Sequence, residues 1–219
     1  MIRFLPGRAT TELDTDTMQE NLRRAPRQNR AADTVDVILE ATAQLLDRPG
    51  SPAFTTNHVA QRAGVSVGTL YRYFSNKQGL LEALVSRELA DRERQIIVHL
   101  NENPDAAPDA VIDFVADVAL GSFRGRARVR RCLLGRLQGR SDIADLVHQT
   151  RFKVITLLEE HLVRVEPQTY RSLRTSEKLA LAGAWIGAIN TTLRYTQDDL
   201  EAEDLKAHLK KLLRSGLSH

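Results

Sequence analysis

Phe54-Thr-Thr-Asn-His-Val-Ala-Gln-Arg-Ala-Gly64-Val-Ser66-Val-Gly68-Thr-Leu-Tyr71-Arg-Tyr73-Phe-Ser-Asn-Lys77-Gln-Gly-Leu-Leu81 is the stretch whose reading decides the fold. Thr55 and Thr56 offer hydroxyls that accept hydrogen bonds from the first amides of a helix through Val59, Ala60 and Ala63. Gly64 supplies the backbone freedom of a tight interhelical turn. Ser66 can cap a second short helix ending near Phe74, and Ser75 or Asn76 a third through Leu80, Leu81, Leu84 and Val85. Two short helices joined by a glycine turn and followed at once by a third is the layout of a helix-turn-helix DNA reader.

The second short helix carries side chains suited to a major groove. That groove admits one α-helix, whose leading residues reach base edges while flanking groups grip phosphates. Val67, Gly68 and Thr69 stand at the leading end: Val67 fits a thymine methyl, Gly68 allows close backbone approach, and Thr69 can meet a base edge or a phosphate. Tyr71 and Tyr73 are two residues apart, so they diverge by roughly 200° around the helix. They are expected to span the groove and bond the phosphates of its two walls. Leu70 and Phe74, four apart, form the face that locks the helix to a core. Lys77 opens the next helix, where its ammonium and the unpaired amides make a phosphate site.

Upstream, Val35, Ile38, Leu39, Leu45 and Leu46 recur at helical spacing from about Arg30 to Asp47, and Pro49-Gly50 ends the pattern. The first residues show no periodicity and read as a flexible tail over 1–27, with Arg23, Arg24, Arg27 and Arg30 as a basic arm able to lie along DNA. Beyond residue 88 helical patterns are expected near 109–124, 127–138, 142–164, 175–196 and 201–214. No alternating strand pattern of any length occurs, so the fold is expected to be all-α: an N-terminal helix-turn-helix three-helix domain over 28–85, then a helical ligand-binding and dimerisation domain over 86–219.

The helix near 175–196 is apolar around most of its circumference, and the last helix has a stripe of Leu205, Leu209 and Leu212. Two such helices from each of two chains would form a four-helix interface, so Trp185, Ile189, Leu205, Leu209 and Leu212 are the expected dimer contacts. Phe114, Phe123, Trp185 and Asn190 are candidates for lining an effector pocket.

Composition adds limits. The 219 residues are 42% hydrophobic, enough for a real core. No window approaches a membrane span and the N-terminus lacks an apolar signal region, so a cytoplasmic protein with no membrane partner is expected. The net charge is +3, but residues 21–80 carry an excess of four positive charges, placing the basic character beside the helix-turn-helix. Seven arginines lie between Arg124 and Arg140 with no acid among them. They read as a solvated face paired with acids such as Asp117 and Asp142, or else as an anion-binding surface. The single cysteine, Cys132, reads as a packed thiol. The six histidines show no metal-ligand spacing, and no cofactor is expected. Gly64-Val-Ser66-Val-Gly68 also fits the G-x-S-x-G of serine hydrolases, but that elbow needs a strand before the serine, and what precedes Ser66 is helical. No enzyme is expected.

The run GVSVGTLYRYFSNKQGLLEAL, with ILEATAQLL upstream and TTNHVAQRAGVS between, resembles the DNA-binding domain of the TetR family of bacterial transcription regulators over about residues 30–85. The resemblance implies DNA contacts at Thr56, Ser66, Val67, Gly68, Thr69, Tyr71, Tyr73 and Lys77, with Arg72 a further phosphate candidate. It also implies a homodimer, most readily a repressor, that binds a palindromic double-stranded operator and is released by a small-molecule effector. Thr42 and Leu46 stand where the family more often has alanine and phenylalanine, a difference of packing. The alternative is an architectural or interaction factor without a small-molecule switch. An enclosed C-terminal pocket of several hundred cubic Å would favour the switch, and a filled core the scaffold.

Overall fold

The computed structural model describes residues 15–48, 54–121, 126–136, 141–195 and 200–219. Their regular structure is helical apart from one antiparallel bridge between Tyr170 and Ser218. The helices are α1 Thr15–Asp47, α2 Thr56–Ala63, α3 Val67–Tyr73, α4 Lys77–Glu102, α5 Pro108–Leu120, α6 Ala127–Arg136, α7 Ser141–Val165, α8 Thr175–Tyr195 and α9 Leu200–Leu217.

The head is α1, α2, α3 and the first half of α4. Each short helix starts and stops on local chemistry. Thr55 Oγ1 accepts the His58 amide at 3.2 Å, Ser66 Oγ accepts the Thr69 amide at 3.0 Å, and Asn76 Oδ1 accepts the Gly79 amide at 2.9 Å. Between α2 and α3, Gly64 sits at φ 68°, while its own amide reaches Gln61 O and the Val65 amide reaches Ala60 O. That pair of bonds is the Schellman stop, which needs a left-handed residue at the position Gly64 occupies. Ile38, Leu70, Leu80 and Leu84 are fully buried in the head core, joined by Val59, Phe74 and Leu81. Thr42 is buried without loss, because its hydroxyl donates to Ile38 O at 2.8 Å.

Two helices run past the bounds of the sequence reading. α1 begins at Thr15, N-terminal to the expected start near Arg30 and inside the expected 1–27 tail. Apolar periodicity marks only the part of a helix that packs on a core, so it cannot report such an extension. The side chains of Arg23, Arg24 and Arg27 lie outside the described residues. α4 passes unbroken through the expected domain boundary at 85/86 and continues to Glu102.

The body core joins the second half of α4 with α5, α7, α8 and α9 through Ile96, Val111, Ile112, Val115, Ile155, Leu158 and Leu162. α6 connects the two cores: its Val129 and Leu133 are buried in the head cluster, while its Arg130 is buried with Nη1 donating to Ala119 O of α5 at 2.9 Å.

Four of the five expected dimer residues are corrected by this packing, and Leu212 keeps part of its surface exposed. Trp185 is 2% exposed, Ile189 and Leu209 0% and Leu205 8%, and Leu212 is partly buried, all against the chain's own body core. An apolar helix must bury its surface, but its sequence does not say against what. The charged side of α9 has a partner too. Lys206, Lys210 and Arg214 pair with Asp117, Asp113 and Asp109, an antiparallel ladder that fixes α9 on α5. What α8 leaves exposed is a different face, with Leu179 (50%), Ala180, Ala184, Gly187 and Thr191.

Candidate nucleic-acid interface

α3 lies at the head's surface with Leu70 wholly buried beneath it and Phe74 buried at its end. These two side chains fix the rotation of the helix, leaving Val67 39% and Tyr71 49% exposed. Ser66, Gly68 and Arg72 are exposed as well, and Thr56, Thr69, Tyr73 and Lys77 are half-buried around them. All nine sequence-derived positions thus retain exposed surface in the region built from α2, α3 and the start of α4.

Their hydrogen bonds divide the region into parts. Thr56 Oγ1 and Tyr71 Oη share a hydrogen bond at 3.0 Å, tying the first residue of α2 to the exposed side of α3. Arg72 Nη2 donates to Tyr73 Oη at 3.2 Å, and the guanidinium carbon lies 5.1 Å from the Tyr73 ring centroid. Tyr73 itself packs on the head core, so the hydroxyl expected to face a phosphate already accepts from a cation on its own helix. Ser66 Oγ and Thr69 Oγ1 are 2.8 Å apart. The Ser66 hydroxyl thus serves as a helix cap and a partner of Thr69, the role sequence reasoning preferred over that of a nucleophile.

Gly68 has a different character. Among the described residues the positive-φ glycine is Gly64, so Gly68 has no conformational need for glycine. A Cβ placed there would meet Ser66 Oγ at 3.8 Å, an ordinary contact. Nothing inside the protein requires the absence of a side chain at this exposed position. A glycine there suits close approach by something outside.

Lys77 sits with Nζ 4.8 Å from the Phe54 ring centroid, and the guanidinium carbon of Arg136 lies 5.8 Å from the same ring. Partial burial lowers the Lys77 pKa, with Arg136 contributing repulsion, against an opposing influence of Cys132. Arg136, from α6, was not singled out by sequence reasoning as a neighbour of Lys77. Its signal was present only as membership in the arginine run. Arg136 Nε also lies 3.1 Å from Cys132 Sγ, and Cys132 is a half-buried free thiol packed against the head.

The arginine run is not one solvated face. Arg126 pairs with Glu40 of α1 at 2.7 Å, Arg130 is buried, and Arg128, Arg131 and Arg136 are exposed. Asp117, expected as a partner for the run, pairs with Lys206 instead. Arg124, Arg140 and Phe123 lie outside the described residues.

Of the effector-pocket candidates, Trp185 lines a recess of about 30 Å³ in the body core, between Leu89, Ile96, Val115 and Arg151. Phe114 lies apart from it: its ring stacks on His99 at 3.7 Å on an open groove of about 910 Å³ between α4 and α5. Asn190 is half-buried on α8 and is not among the recess residues. The recess is far below the several hundred cubic Å expected of a formed effector pocket. By the criterion of cavity size this recess does not favour the switch, and an effector of ordinary size would have to select a more open arrangement of α4, α5, α7 and α8. Among the described residues no helix is long and apolar enough to cross a membrane.

Residues 38–84 match the family model of bacterial regulatory proteins of the tetR family. Over 55 residues the chain is 49% identical to the uncharacterised HTH-type transcriptional regulator YvkB of Bacillus subtilis (strain 168), a match that spans 25% of this chain and 29% of that protein. The fold extends the likeness. A transcriptional regulator from Cytophaga hutchinsonii superposes with a TM-score of 0.65 at 18% identity, covering 83% of this chain and 95% of the other. Thermus thermophilus FadR, a TetR-family repressor in complex with lauroyl-CoA, superposes with a TM-score of 0.57 at 21% identity over 83% and 92%. The curated relative is thus matched over less than a third of its length, through the helix-turn-helix, whereas the structural likeness covers head and body together.

Proposed function

We propose, from the match of residues 38–84 to the tetR family model, that the chain belongs to the TetR family and is a homodimeric, DNA-binding transcriptional repressor whose α3 enters the major groove of a palindromic operator. The observation that carries this reading is the exposed leading end of α3. Val67 and Gly68 stand clear of the core while Leu70 and Phe74 hold the helix beneath them. Val67, Gly68 and Thr69 take the base edges. The Thr56–Tyr71 hydroxyl pair and the Arg72–Tyr73 pair flank them as two separate phosphate contacts. Lys77 and Arg136, each over the ring of Phe54, supply further phosphate contacts.

Two heads are needed to read a palindrome. The exposed small-residue face of α8, from Leu179 through Ala184 to Gly187, is the surface that allows close helix approach between copies. Release by an effector follows from the position of α6. Its buried Val129 and Leu133 belong to the head, Arg126 is paired to Glu40 of α1, and Arg130 reaches into the body. A ligand that parts the body helices would shift α6 and with it the tilt of the head. That the solved FadR neighbour is a complex with lauroyl-CoA supports small-molecule binding by a protein of this fold.

The test is the salt dependence of DNA binding. The slope of log affinity against log salt falls by nearly one for each phosphate contact removed. Lys77→Ala and Arg136→Ala should each weaken binding to every sequence and reduce the slope by about one. An unchanged affinity and slope for Lys77→Ala would overturn the docking.

A further inference from the structure

The body core contains a concentration of positive charge that packing alone does not explain. Arg92 of α4, Arg130 of α6 and Arg151 of α7 are all withdrawn from solvent, with Arg130 at 5% and Arg151 at 8% exposure. They are close enough to repel one another: Arg92 and Arg151 act on Arg130, and Arg92 acts on Arg151. Glu88 pairs with Arg92 at 3.4 Å, and Arg130 donates to Ala119 O. Among the described residues no carboxylate pairs with Arg151. Burial, then repulsion by Arg92, depresses the Arg151 guanidinium to about 9, which leaves it charged at neutral pH.

Arg151 and Trp185 line the same recess, together with Arg92, Leu89, Ile96 and Val115. Arg151 Nη1 and Trp185 Nε1 are both buried donors with no hydrogen-bond partner. A buried donor is normally satisfied, so two left over on residues that line one apolar recess call for an acceptor. A buried guanidinium with no carboxylate partner favours a negative acceptor. Arg92 and Val118 line both this recess and the groove between α4 and α5, forming the partition through which a ligand would pass.

We propose that the body recess is an anion receptor that takes an apolar molecule bearing a carboxylate, with the acid received by Arg151 and by the indole N–H of Trp185 while the apolar part displaces the Arg92–Val118 partition. This names the chemical class of the effector and rests on the reading of the body as an effector domain. A guanidinium suits a planar carboxylate through two parallel bonds, and the apolar walls exclude the water that would otherwise weaken them.

Trp185 is the only tryptophan, so its fluorescence reports this recess alone. The full-length protein would be titrated with octanoate and benzoate, each against its neutral counterpart of similar shape, 1-octanol and benzamide, and with inorganic phosphate. At least one acid should change the emission saturably and bind at least tenfold tighter than its neutral counterpart. Arg151→Met should abolish that preference while helical content by circular dichroism and unfolding temperature are unchanged or raised, because an unbalanced buried charge has been removed. Equal response to acid and neutral partner in the wild-type protein would overturn the proposal without reference to any variant. A response to phosphate alone would overturn its apolar half, and a lowered unfolding temperature for Arg151→Met would assign the arginine to structure. A parallel gel shift separates the two readings. Acid binding that leaves the DNA complex intact overturns the switch and keeps the receptor; loss of acid binding with DNA binding retained overturns the receptor alone.

Discussion

Replacing Gly68 with alanine separates what the protein needs from what DNA needs. The added Cβ would have Ser66 Oγ as its nearest neighbour, at 3.8 Å, and the backbone there has no left-handed strain to relieve. Alanine is a better helix former than glycine by up to about 1 kcal/mol in a helix interior, and the first turn of a seven-residue helix earns about half of that. Unfolding of a chain this size should therefore shift upward by roughly 1–2 °C. On DNA the sign reverses. If the α3 backbone at Gly68 lies against the groove, the methyl forces the helix outward or compresses its neighbours, at about 1–3 kcal/mol, as for overpacking in a core. Affinity should fall roughly five- to 150-fold. Calorimetric or dichroism melting gives the first quantity, and fluorescence anisotropy with a labelled operator gives the second. An alanine variant that binds the operator as tightly as the wild type would refute close backbone approach at Gly68 and the orientation of α3 built on it.

Other outcomes follow from the packing. Ala184→Glu, on the exposed face of α8, should shift the protein from dimer to monomer in sedimentation velocity with helical content retained; a dimer that survives would place the interface elsewhere. Arg126→Ala breaks the pair with Glu40, whose side chains are 22% and 27% exposed, so it should cost only about 0–1 kcal/mol in urea unfolding. A loss above about 2 kcal/mol would show that α6 is held to the head mainly by this pair and not by the buried Val129 and Leu133.

What was legible in the sequence was what local chemistry determines. Thr55, Ser66 and Asn76 cap helices, and Gly64 adopts φ 68°, because a cap or a left-handed turn depends on a few neighbouring residues. Leu70 and Phe74 were placed in the core by their four-residue spacing, and both are buried. What depended on distant partners was not legible. The stripe Leu205, Leu209 and Leu212 reads as a seam in either of two cases: docking on a second chain, or docking on α5 of the same chain. Only the ladder from Asp109, Asp113 and Asp117 to Arg214, Lys210 and Lys206 decides between them. Arg130 looked like its neighbours in the run until α6 was seen to turn that one residue inward, toward groups supplied by α4, α5 and α7. Periodicity reports that a face is apolar or charged, and only the fold reports what lies opposite.

The central claim is that two copies of α3 read a DNA palindrome, and selection of bound fragments from genomic DNA tests it most directly. The account predicts a shared inverted repeat whose half-sites lie about one or two helical turns apart, with Val67→Ala changing the preferred bases and leaving the spacing intact. Enrichment of fragments with no common inverted repeat, or a preference untouched by substitution at Val67 and Thr69, would contradict it.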